Sequence, residues 1–381
     1  MRRRPRKIAI SILLLLLITI TLSIFLQLEL PATSGPYTVG RTIFRWVDSS
    51  RPEGLTDDPH DSREVMAFLW YPAVPGTGAK GGYFPGLAFV SQALEESGEL
   101  AKWEVLGLRW IRSNSSLDAE PLNGQGSFPV VLLSPGNGTN IEFYTSLASE
   151  IASHGYIVFG LNHPYDVAAV ELSDGRVAAY DKSQWSLDAK AHQAYTAQRV
   201  QVRTADLLFA FDQLEMINAD PNSPFAGLLD LNHVAAAGHS LGGITASEAC
   251  KADTRFKGCV NFDGLQAGGP FSADVTAAPP DQPFLFLTKE SQIHPVLIEK
   301  FETTSESYWV IIHGASHDSF TDGPVLQPSL LPFWNQADRF MALTQAYTLA
   351  FLDQTLKGQP ANLLSSSVVR QDVSVKVFPS R

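Results

Sequence analysis

The sequence predicts an α/β chain, with a mostly parallel sheet covered by helices on both faces and one transmembrane helix in front of it. Three observations carry that expectation. From about residue 62, short apolar runs of strand length alternate with stretches of helical periodicity. The runs stop at turn residues, as strands buried on both faces do: Phe128–Ser134 is apolar and breaks at Pro135-Gly136. Ahead of the alternation, no charge interrupts Ile8 to Leu28, and a helix needs about 20 apolar residues to cross the hydrocarbon core.

Arg2, Arg3, Arg4, Arg6 and Lys7 precede that apolar run. Basic residues there favour a cytoplasmic N-terminus and a body on the other side of the membrane. The run exceeds the usual signal-peptide core, and no small-x-small cleavage site follows it. A cleaved signal peptide is the alternative, and it leads to the same side. The expected organisation is a basic tip and membrane anchor over residues 1–30 and a stalk and lead-in over 31–61. The main domain then spans 62–381.

Composition narrows the class. The 381 residues are 45% hydrophobic and 18% charged, which suits a globular protein. The net charge of −11, with those five cations confined to the N-terminal tip, leaves an acidic body that repels phosphate backbones. Nucleic acid is therefore not an expected partner. Two cysteines, Cys250 and Cys259, exclude a disulfide-rich scaffold, and no CxxC or Cys/His cluster points to zinc. The pair either bridges, if the body is exported, or stays as two buried reduced thiols.

The elements follow in order. Strands are expected at Glu64–Tyr71, Phe128–Ser134, Tyr156–Leu161, His233–Gly238, Lys257–Phe262, Gln282–Thr288 and Tyr308–Ile312. Helices are expected at about 142–153, 189–217, 241–252 and 333–354. In the longest of these, Leu207, Leu208, Phe211 and Leu214 fall at helical spacing. Ser367–Phe378 reads as an edge strand or a loose tail. Residues 82–127, with Tyr83, Phe84, Phe89, Trp103 and Trp110, form an insertion too long for a turn. It either covers a site or packs as decoration.

One motif carries chemistry. Gly238-His239-Ser240-Leu241-Gly242 is a G-x-S-x-G pattern between an apolar strand and a helix, the context that motif requires in an α/β-hydrolase fold. The tight turn leaves no room for side chains two residues away from the serine. It lifts the Ser240 hydroxyl above the sheet, beside a helix N-terminus that favours developing negative charge.

A serine nucleophile needs a base and a group to orient that base, in the chain order Ser, acid, His. His294, His313 and His317 follow Ser240. His317, on the loop past the Tyr308–Ile312 strand, is the expected base, with His313 second. Asp263 ends the strand directly after the nucleophile helix and is the expected acid. Asp253, Asp274 and Asp281 read as solvated charges.

With those residues placed, the chain resembles the platelet-activating-factor acetylhydrolase group, within the dienelactone-hydrolase and lipase/cutinase branch of the α/β-hydrolases. The likeness rests on FLWYP, FPVVLLSPGNGTN, ASHGYIVFGLNHPYD, GHSLGG, NFDG and GASHDSFTD. It also rests on separations of 23 residues from Ser240 to Asp263 and 54 from Asp263 to His317. The resemblance implies the same triad, and an oxyanion hole formed by the backbone N–H groups of Leu241 and Asn137. Where the group usually has Ser-His-Gly, this chain has Ser134-Pro135-Gly136. Asn137-Gly138-Thr139 also matches a glycosylation sequon, but a glycan there would block the site. His163 in LNHPYD reads as structural.

The expected activity is hydrolysis of short-chain acyl esters or acetylated phospholipids, with no metal or organic cofactor. A cutinase- or lipase-like polyester or lipid hydrolase is the alternative, as is an inactive hydrolase fold used as a binding ectodomain. The expected partners are an ester substrate and, through the N-terminal helix, the membrane.

Overall fold

A computed structural model describes residues 11, 12, 14, 29–98, 100–264, 281–290, 306–326, 336–365 and 371–378. In chain order the strands are β1 (Thr38–Pro52), β2 (Ser62–Ala73), β3 (Ala79–Gly82), β4 (Arg112–Leu117), β5 (Phe128–Ser134) and β6 (Ile157–Asn162). A two-stranded hairpin of β7 (Ala169–Glu171) and β8 (Val177–Ala179) follows, then β9 (Leu229–His239), β10 (Phe256–Phe262), β11 (Phe284–Lys289), β12 (Ser307–Ile312) and β13 (Val373–Phe378). Among the described residues eleven strands form one mixed sheet in the order β13-β12-β11-β10-β9-β5-β6-β2-β1-β4-β3.

The run from β12 to β6 is parallel throughout. Its sequence shows why. In β5, Val131 and Leu133 join one core while Val130 and Leu132 join the other, and Ala235/Ala237 and Val234/Ala236 of β9 divide the same way. A strand apolar at both parities must be covered on both faces. Helices Thr145–Ser153 and Gln336–Lys357 cover one face through Leu147, Ile151, Tyr347 and Phe351. Helices Ala189–Ala219 and Leu241–Ala252 cover the other through Leu207, Phe211, Leu214 and Ala246. Asp188 caps the long helix, accepting from the Ala191 N–H at 2.8 Å.

Several expectations change. Much of the stretch read as a stalk is sheet: β1 pairs antiparallel with β2 from Thr38↔Ala73 to Asp48↔Arg63. Thr42-Ile43-Phe44-Arg45-Trp46-Val47 carries the β-branched and aromatic signature of a strand, obscured by its charges. The residues before it are docked, with Tyr37 N–H donating to the Ser153 carbonyl at 3.0 Å and Gly35 N–H to Ser153 Oγ at 3.1 Å. Within the 82–127 insertion, helices Leu87–Ser97 and Lys102–Gly107 precede β4, which extends the sheet parallel to β1. Tyr83 and Phe84 are buried, whereas Phe89, Trp103 and Trp110 are exposed. The C-terminal segment is an edge strand, antiparallel to β12. Cys250 and Cys259 form a disulfide.

The transmembrane helix in the expected fold is corrected. Among the described residues no helix is long and apolar enough to cross a membrane. The longest, Ala189–Ala219, carries Lys190, Arg199, Arg203, Asp206, Asp212 and Glu215, far too much charge for a hydrocarbon core. Of the expected span only Ser11, Ile12 and Leu14 belong to the described residues. The sheet positions the site.

Candidate active site

The elbow is built from glycines that have no space to be anything else. A side chain at Gly238 would strike the Gly242 carbonyl, and one at Gly242 would strike the Ser134 carbonyl. Ser240 itself sits at φ 55°, ψ −120°, a conformation that ordinary residues avoid. It is held there by its N–H, which donates to the Phe262 carbonyl at 2.8 Å, and by Gly243 N–H, which donates to the Ser240 carbonyl at 3.0 Å.

Asp263 follows β10 directly and also has a positive φ, 50°. Its N–H donates to the Leu287 carbonyl at 2.8 Å, and the next residue, Gly264, donates to Asn261 Oδ1 at 2.7 Å. A side chain at Gly264 would collide with the Ser240 carbonyl, so acid and elbow are in direct backbone contact. The Asp263 carboxylate is buried and lies 2.6 Å from His317 Nδ1. Lys289 Nζ stands 3.8 Å from the same oxygen. His317 opens a short 3₁₀ helix, His317–Phe320, capped by Ser316, whose N–H donates to Ser319 Oγ at 2.9 Å. A carboxylate on Nδ1 selects the Nδ1–H tautomer and leaves the Nε2 lone pair to accept a proton.

His313 is directed elsewhere. Its Nε2 lies 2.8 Å from Ser374 Oγ on the edge strand, and its Nδ1 lies 3.3 Å from Glu290. Asp253 pairs with Arg255 at 2.7 Å. His294 and Asp274 lie outside the described residues.

The loop after β5 runs against the elbow: a side chain on Gly136 would sit 3.6 Å from Ser240 Cβ. Gly136 N–H is already used, donating to Tyr144 Oη at 2.9 Å. Among the described residues the N–H groups of Leu241 and Asn137 donate no backbone hydrogen bond. The Asn137 side chain donates to Tyr180 Oη at 2.8 Å and Gln184 Oε1 at 3.3 Å, which holds it off that backbone.

Beneath the loop, Ser134 and His163 of the motifs meet two residues that the motifs do not reveal, Arg203 and Asp206. Arg203 donates to Ser134 Oγ at 3.1 Å and to the Pro135 carbonyl. His163 lies 3.0 Å from Ser134 Oγ and 2.8 Å from Asp206 Oδ2. Asp206 in turn pairs with Arg63 at 2.6 Å. Burial and the charge of Arg203 pull His163 down to about 4, so its ring is neutral. Burial alone would raise the Asp206 carboxyl, but Arg63 and the His163 hydrogen bond hold it well below the carboxylate range. The available signal was Arg203 and Asp206 three residues apart, on the turns next to the apolar stripe of Leu207, Phe211 and Leu214.

No group of three or more His, Cys, Asp or Glu with metal-binding geometry occurs among the described residues. Open concavities of about 570 and 630 Å³ lie on other parts of the surface and include none of Ser240, Asp263 or His317.

Comparison with known proteins gives this geometry a family. The family model for platelet-activating factor acetylhydrolase, isoform II, matches residues 22–362. The chain belongs to this family. A platelet-activating factor acetylhydrolase from Cavia porcellus is 26% identical over 313 residues, 77% of this chain and 69% of the relative. A probable 1-alkyl-2-acetylglycerophosphocholine esterase from Arthroderma benhamiae is 26% identical over 268 residues, 67% of this chain and 64% of the relative. Among solved structures, a ferulic acid esterase from Streptomyces cinnamoneus superimposes with a TM-score of 0.68 at 26% identity, covering 91% of this chain and 98% of that one. The resemblance read from the motifs and the expected enzyme class, a carboxylic ester hydrolase, both stand on these matches.

Proposed function

We propose that the chain hydrolyses short-chain acyl esters, acetylated phospholipids among them, by a two-step acyl transfer. Ser240 Oγ attacks the ester carbonyl as His317 Nε2 takes its proton, and Asp263 holds the imidazole and stabilises its cation. Leu241 and Asn137 N–H groups receive the oxyanion. His317 then protonates the leaving alcohol, and a water activated by the same nitrogen releases the acyl group. The observation that carries this reading is the 2.6 Å His317–Asp263 contact, formed beside a serine held at positive φ. The family supports the acetyl-phospholipid side of it.

The structural likeness to a ferulic acid esterase favours a second reading, hydrolysis of hydroxycinnamoyl esters. The Cys250–Cys259 bridge supports an oxidising compartment for the catalytic body.

The test is turnover of p-nitrophenyl acetate and butyrate, an acetylated phospholipid and methyl ferulate, with fluorophosphonate labelling in parallel. Acetyl esters turned over, with label on Ser240 and none after Ser240→Ala, is the expected result. His313→Ala retains activity. Labelling with preference for methyl ferulate favours the second reading. No turnover and no label would leave a binding fold in place of an enzyme.

A further inference from the structure

His239, the variable residue of the G-x-S-x-G motif, is almost fully buried at 3% exposure. Both of its ring nitrogens are engaged. Nε2 lies 3.0 Å from the backbone carbonyl of His317, and Nδ1 lies 2.8 Å from Tyr144 Oη. Tyr144 Oη also accepts the Gly136 N–H at 2.9 Å. Only one proton arrangement satisfies every partner. A carbonyl accepts only, so Nε2 carries the hydrogen; Nδ1 is then an acceptor and takes the Tyr144 hydroxyl proton.

The result is a continuous chain, Gly136 N–H to Tyr144 O–H to His239 Nε2–H to His317 C=O. It joins the loop bearing one oxyanion donor, Asn137, to the loop bearing the base. The ring of His239 also lies 4.5 Å from that of His317, centroid to centroid. Burial, then the neighbouring His317 charge, holds His239 well below the ordinary histidine range, so it does not compete for the proton the base must carry.

We propose that His239 is a positioning residue: together with Tyr144 it fixes the oxyanion loop and the base loop relative to each other. This rests on the acyl-transfer reading above, but it concerns geometry that can be measured without turnover. A support that sets donor placement should cost less than deleting an oxyanion donor outright, which costs about 10²–10³ in rate. His239→Phe and Tyr144→Phe keep an aromatic ring in place, and each removes the two hydrogen bonds that its residue contributes to the chain.

The experiment measures kcat and KM on p-nitrophenyl acetate, and amide hydrogen exchange in peptides spanning 134–139 and 313–320. Each single variant is expected to lower kcat about 10- to 100-fold with KM within about twofold. The double variant should fall no further than the worse single, because a chain broken once is already broken. His239→Gln should recover part of the loss, since its amide can still donate to the His317 carbonyl. Tyr144→Phe should raise exchange in the 313–320 peptide, to which Tyr144 is linked through His239. Unchanged kcat in His239→Phe, losses that multiply in the double variant, or no recovery with Gln would overturn the proposal. If the unaltered protein neither labels at Ser240 nor turns over an ester, the acyl-transfer reading fails by itself. The exchange result then decides the linkage, and an unchanged 313–320 peptide sinks it.

Discussion

Two buried polar clusters brace the loops around Ser240, one behind Ser134 and Pro135 and one behind the loop after His317, and they deal with charge in opposite ways. On one side Asp206 faces Arg63 at 2.6 Å and Arg51 at 2.9 Å, Arg63 also meets Glu53 at 2.7 Å, and Arg199 meets Asp166 at 2.7 Å. On the other, Glu142 and Asp322 are buried with few cations near them. Glu142 accepts from Asn162 Nδ2 at 2.9 Å; Asp322 accepts from Tyr83 Oη at 3.1 Å and from Ser146 N–H at 3.2 Å. Burial raises both carboxyls to about 7, against the pull of those hydrogen bonds. A buried carboxyl stays ionic where a guanidinium pairs with it directly and drifts toward neutrality where its hydrogen bonds come from neutral groups. The ion-paired side clamps Ser134 and Pro135 through His163 and Arg203; the near-neutral side ties the Phe143–Ser146 segment to the loop after His317 through Asp322.

The largest expected effect comes from breaking the ion-paired side. Asp206→Asn leaves Arg63 facing an amide and should cost about 3–5 kcal/mol of stability in urea unfolding. Adding Arg63→Met should recover little of that loss, because buried Glu53 then loses its own 2.7 Å partner.

A smaller effect probes the near-neutral side. Folded Asp322 keeps its proton up to about pH 7, while the unfolded chain releases it near the ordinary carboxylate value. The folded state binds more protons in that window, so this group makes stability fall as pH rises. Asp322→Asn should flatten that decline by roughly 3 kcal/mol between pH 4 and 7. An unaltered slope would show that the carboxyl is already ionised in the fold.

His163 should act with the opposite sign and a smaller size. It stays neutral in the fold down to about pH 4, while the unfolded chain takes up its proton near 6.5. Its contribution is present above pH 6.5 and is lost as pH falls toward 4. His163→Gln should remove that loss, roughly 2 kcal/mol across the window, measured as thermal midpoint against pH. If the two variants tilted the pH profile in the same direction, the contrast between the clusters would be wrong.

The fold and the central residues were legible because they are written locally. Apolar runs of strand length bounded by Pro and Gly give β5, β6 and β9, and strand-turn-helix patterning around Gly238 and Gly242 marks the elbow. The order of Ser240, Asp263 and His317 selects the residues that the sheet then gathers. β1 was obscured because Arg41, Arg45, Asp48 and Arg51 interrupt its apolar alternation. Arg41 is nevertheless fully buried, donating to the Tyr83 carbonyl at 3.2 Å, a partner 42 residues away.

By itself the sequence determined the α/β architecture, the glycine-flanked turn at Ser240 and the expectation that Asp263 and His317 stand near it, since each follows from spacing within one or two elements. Tertiary structure decided what those residues stand on. Whether Cys250 and Cys259 bridge, that His313 points to the edge strand, that Tyr144 and His239 join two loops, and which buried carboxyls meet an arginine all depend on groups brought together from distant parts of the chain. Burial and partner geometry set the protonation and placement of such groups, and neither quantity exists until the sheet has closed its two cores.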